Sequence, residues 1–60
     1  MNPSDFIFSQ VYRGALSEKV NERIAKDHAV MALNKFKKGQ FKKPVELIKE
    51  SIRQAKKASK

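Results

Sequence analysis

Sixty residues set a single domain as the ceiling, and a chain this short buries only about 60% of its extended surface, so it needs a good helical core, a second subunit or a bound polyanion. With no Cys and one His, disulfides, thiolate nucleophiles and thiolate or His-rich metal sites are excluded; the missing cysteine fits a reducing interior. A formal charge of +8 points to a polyanion or an acidic protein as partner and says nothing of fold.

Asn2-Pro3-Ser4-Asp5 reads as a helix start, with Asn2 as cap, Pro3 at the first helical position and Asp5 as the acidic member of a capping box. In FIFSQVY, Ile7, Phe8, Val11 and Tyr12 make a helical stripe, which predicts a helix over 3–12. A strand is the alternative, because aromatic and β-branched residues suit one equally well. Gly14 is expected to end this element.

The longest stretch without Pro or Gly follows, from Ser17 to Lys38. It predicts a central helix over 17–38, capped by Ser17 and closed by Gly39 in the left-handed position. Two apolar stripes mark it: Val20, Ile24 and Met31 on one line, and Ala25, Ala29, Ala32, Leu33 and Phe36 roughly opposite. A surface helix ordinarily carries one stripe. The second therefore predicts a homodimer with Val20, Ile24 and Met31 at the interface, against the alternative of one broad core face in a monomer. His28 falls at the edge of the first stripe, where partial burial is expected.

Phe41 is the large apolar residue of the second connection and is expected to fold back as a lid. Pro44 opens a third helix over 44–57, in which Val45, Ile48, Ile52 and Ala55 recur at three and four and Leu47 and Ser51 widen the stripe. Residues 58–60 are expected to fray. The fold expected is all-α, a small three-helix domain with a long central helix. Its expected core is Ile7, Phe8, Val11, Val20, Ile24, Met31, Leu33, Phe36, Phe41, Val45, Ile48 and Ile52.

Catalytic material is scarce. His28 is the one imidazole, its neighbour Asp27 points about 100° away on a helix, and no Ser has a base at helical spacing. The two glycines stand 25 positions apart, so there is no phosphate-cradling loop. No enzyme, cofactor, metal or small-molecule substrate is expected. No run reaches the roughly 18 apolar residues of a membrane span, and no secretory pattern opens the chain. A cytoplasmic protein without a membrane partner is the expectation.

Charge is distributed unevenly. Residues 1–34 hold four basic and four acidic groups, whereas residues 35–60 hold ten basic and two acidic, Glu46 and Glu50. The candidate nucleic-acid contacts are Lys35, Lys37, Lys38, Gln40, Lys42, Lys43, Lys49, Arg53, Lys56, Lys57 and Lys60. Nine of those ten cations are lysine, which suits backbone attraction more than base reading. Amides at Val45 or Glu46 offer one further phosphate contact. The partner expected is DNA or RNA. An acidic protein, engaged by the same lysines with Val30 or Tyr12 as anchor, is the competing reading, and a merely solubilising face is the plainest.

Pro44-Val-Glu-Leu-Ile-Lys-Glu-Ser-Ile52 resembles the second helix of ribbon-helix-helix repressors, which implies a dimer whose N-terminal strand reads the major groove. That resemblance would make FIFSQVY the strand. A helix over 17–38 is about twice the length of the family's first helix, and FIFSQVY offers only Ser9 and Gln10 as polar residues to face bases. The succession of short, long and short helices also resembles the histone fold in outline. No family is assigned on these patterns.

Overall fold

The computed structural model describes residues 3–59 and consists of three helices: α1 (Pro3–Ser17), α2 (Glu22–Lys38) and α3 (Pro44–Ala58). The expected cap at Asn2 lies outside the described residues. FIFSQVY is helical, which removes the strand and with it the ribbon-helix-helix outline. The helices are 15, 17 and 15 residues long, so the short-long-short outline and the long central helix over 17–38 are also corrected.

Gly14 does not end α1. Ile7, Val11 and Ala15 continue the buried stripe at i, i+4 and i+8, carrying the helix past the glycine. The helix closes instead through Lys19, whose φ of 63° is left-handed. There the Val20 amide donates to the Ala15 carbonyl at 3.1 Å and the Lys19 amide to that of Leu16 at 3.0 Å, the pairing of a Schellman motif. Val20 then packs beside Ala15 in the core. A lysine in the position normally given to glycine carries a steric cost of about 1–2 kcal/mol. Lys19→Gly is therefore expected to stabilise the protein by about 0.5–1 kcal/mol, after allowing for the freer unfolded chain. A rise in the urea midpoint at constant slope would register it, and a fall would contradict the motif.

The later closure of α1 displaces the start of α2. Ser17 is the last residue of α1, not a cap; Asn21 takes that role, its side chain accepting from the Arg23 amide at 2.8 Å. The far end behaves as expected: Gly39 has φ 71°, its amide donates to Phe36 O at 3.2 Å, and the Gln40 amide donates to Lys35 O at 2.9 Å.

Two buried clusters set the directions of the helices. Ile7 and Val11 from early α1 meet Ala29 and Ala32 from late α2 and Leu47 from early α3. Ala15 and Val20 meet Ala25 from early α2 and Ala55 from late α3. Thus α1 and α3 run parallel with α2 antiparallel between them in sequence, as short connections favour. Phe41 closes the first cluster as expected, stacking on Phe36 with centroids 5.2 Å apart.

The core is built more from alanine than the periodicity suggested. Ala15, Ala25, Ala29, Ala32 and Ala55 are all 0% exposed. Such small side chains bring the helix axes close and leave little inward room for branched residues. Met31 and Val45, expected inside, are 49% and 59% exposed. Leu47 takes the buried position on α3 that Val45 was expected to share.

Candidate functional site

The candidate cations fall into two groups. Lys35, Lys37 and Lys38 end α2, and Gln40, Lys42 and Lys43 follow in the connection, so these six gather where α2 stops and α3 begins. Lys49, Arg53, Lys56 and Lys57 stand along α3. These nine cations and Gln40 are all exposed, and Lys60 lies outside the described residues. From Lys43 to Lys57 the helix rises about 21 Å, so the second group is spread along α3 and not gathered in a pocket.

The start of α3 joins them. Lys43 is extended, at φ −138° and ψ 143°, and no side chain caps the helix. The Leu47 amide makes the first helical bond, to Lys43 O at 3.0 Å, leaving the Val45 and Glu46 amides without an intrahelical acceptor. Glu46 places its own carboxylate in that first turn, where it competes with any external anion.

The two carboxylates of α3 shape the charge of its surface. Glu46 and Glu50 share a shallow depression with Lys49 and Arg53. Glu50 also lines the groove between α2 and α3 with His28, Met31, Lys35, Ser51 and Gln54, and its Oε1 accepts from Gln54 Nε2 at 3.0 Å. Gln54 is therefore engaged on its own helix. His28 is half-buried in this groove, in keeping with its expected place at a core edge.

The stripe expected to form a dimer interface is not assembled. Val20 precedes α2 and is buried in the protein's own core, Ile24 is half-buried against that cluster, and Met31 alone is well exposed. The cause is the shifted start of α2, which removes Val20 from the helix that was to align it.

Tyr12 is likewise occupied. Its hydroxyl donates to Glu22 Oε1 at 3.1 Å, tying α1 to the first turn of α2, and its ring stacks on Phe8 with centroids 6.2 Å apart. The hydrogen bond to Glu22 is the main cause that raises the phenol above its ordinary value, with desolvation and the carboxylate charge adding to it. Phe6, which had no assigned role, is 46% exposed. Its signal was legible: it lies about 140° from the centre of the Ile7–Val11–Ala15 stripe.

No helix among the described residues is long and apolar enough to cross a membrane. No family model, curated protein or solved structure matches the chain.

Proposed function

We propose that this is a small nucleic-acid-binding protein, regulatory or architectural, that contacts mainly phosphates through residues 35–60 and carries out no reaction on its ligand. The observation that carries the reading is the charge gradient: ten basic against two acidic groups in the last 26 residues, and balance before them. The exposure of every described candidate supports it, since lysines held in the core or in its seams would be unavailable. Lysine predominance favours non-specific phosphate attraction, so sequence preference is expected to be modest.

Salt titration tests this. Replacing Lys49, Arg53 and Lys56 together with Gln should lower the slope of log affinity against log salt by about 2–3 on duplex or single strand, given about 0.7–0.9 per phosphate contact. The helical circular dichroism should be unchanged, since all three side chains are exposed. If no nucleic acid binds at low salt, the reading fails. The same lysines would then serve an acidic protein, for which the exposed Val30 supplies an apolar anchor.

A further inference from the structure

The fold places on one face residues that are far apart in the chain. Because α1 and α3 are parallel, their outer flanks run side by side from the same end. The two helices approach closely where Gly14 of α1 meets Ile52 of α3: a Cβ on Gly14 would overlap Ile52 Cδ1 and lie 3.0 Å from its Cγ1. Across so narrow a seam the two flanks form one continuous surface.

On α1, Phe6, Gln10 and Arg13 recur at i, i+4 and i+7, and all are exposed. On α3, Val45, Lys49 and Lys56 recur at i, i+4 and i+11, also all exposed. At about 100° per residue, Phe6, Gln10 and Arg13 lie on the Gly14 side of the outward direction of α1, and Val45, Lys49 and Lys56 on the Ile52 side of that of α3. Neither stripe contains a carboxylate. Asp5 falls on the other flank of α1, and Glu46 and Glu50 on the other flank of α3, where they border Lys49 in the depression shared with Arg53.

We infer that this α1–α3 face takes single-stranded nucleic acid in preference to duplex, with an unstacked base on the Phe6 ring beside Val45 and phosphates on Arg13, Lys49 and Lys56. The inference rests on the nucleic-acid reading above and adds to it the strand class and three α1 residues. An exposed aromatic ring is useful to a ligand whose bases are free, and a duplex hides its base faces. Gln10, one turn from Phe6, is placed to hydrogen-bond a base edge. Between Phe6 and Arg13 the helix rises only about 10 Å, enough for a few nucleotides. A second copy of the chain is a poor occupant, because each such face carries three cations, with Glu46 and Glu50 only at its border beside Lys49, and like charges would oppose.

The chain has no Trp, so Phe6→Trp installs a reporter at the proposed stacking position. Binding would be measured with single-stranded oligothymidylate, a duplex of matched charge, inorganic polyphosphate and polyglutamate, on the wild type, Phe6→Ala and Phe6→Trp. The expected result is tighter binding to the single strand than to the duplex, a loss of about 5- to 100-fold for Phe6→Ala on oligothymidylate, and unchanged polyphosphate binding. Phe6→Trp should retain the affinity, with its fluorescence quenched by oligothymidylate and not by polyphosphate. Equal affinity of wild type and Phe6→Ala for oligothymidylate, or tighter duplex binding, would overturn the inference while leaving the phosphate-binding reading intact. Equal binding of polyglutamate and oligothymidylate would overturn it in favour of an acidic protein. No binding to any nucleic acid would remove both.

Discussion

Gly14→Val is expected to destabilise the protein by about 1–3 kcal/mol, a large share of the stability of so short a chain. The position is a helix interior, where a glycine is ordinarily a liability of about 1 kcal/mol relative to alanine. Here its bareness is used, because Ile52 of α3 occupies the space a side chain would need. Valine adds three carbons against Ile52 and cannot escape by rotation, being stiff at χ1. Overpacking of this kind costs about 1–3 kcal/mol, occasionally more, and separation of α1 from α3 would also expose Val11 and Ala15. Sixty residues at about 0.05–0.15 kcal/mol each give a total stability of only about 3–9 kcal/mol. Gly14→Ala separates the effects: its gain in helix propensity should be cancelled by the contact with Ile52. In Ile52→Val, which lacks Cδ1, the same alanine should become stabilising. Urea titration of the four-member cycle would show this coupling, and additivity within about 0.3–0.5 kcal/mol would contradict the close approach.

Ile7→Ala is the second large effect. Ile7 is 1% exposed and is one of the two largest fully buried side chains, with Val11. It fills the end of the core where Ala29, Ala32 and Leu47 converge, and where the Phe36–Phe41 stack closes over the cluster. Two of those three neighbours are alanines without the reach to collapse into the vacated volume. The expected loss is about 2–5 kcal/mol, comparable to the whole stability. Thermal melting by circular dichroism should show a broad transition at much lower temperature. A drop of only a few degrees would show that this end is not the principal packing layer.

Helix content was legible in the sequence, because periodicity over residues 3–12 and 44–57 and the Gly39 stop signal all act locally. The register of α2 was not. Gly14 read as a breaker because a glycine's packing role depends on a residue 38 positions away. The true stop, Lys19 in the left-handed region, has no composition signal. Missing that turn moved the cap from Asn21 to Ser17 and gave Val20 a place on α2 that it does not occupy. The inward side of α2 is the alanine stripe, which hydrophobicity underweights, although in a close bundle small size is what suits it to the centre.

The candidate site was partly legible. Charge along the chain singled out the cations of residues 35–60, and those within the described residues are exposed. That Arg13, Gln10 and Phe6 share a face with Lys49 and Lys56 depends on the parallel relation of α1 and α3, a tertiary property. Glu46 and Glu50, the two acidic residues already evident in that stretch of sequence, lie beside Lys49 and Arg53 and temper their charge.

The most direct test of the account is amide chemical-shift mapping of the wild-type protein titrated with oligothymidylate at low salt. The account predicts shifts at Lys42, Lys43, Lys49, Arg53 and Lys56, together with Phe6 and Arg13, that diminish as salt is raised, while Asp27 and Val30 on the outward side of α2 stay unchanged. A spectrum that does not move at low salt, or shifts confined to the outward side of α2, would contradict it.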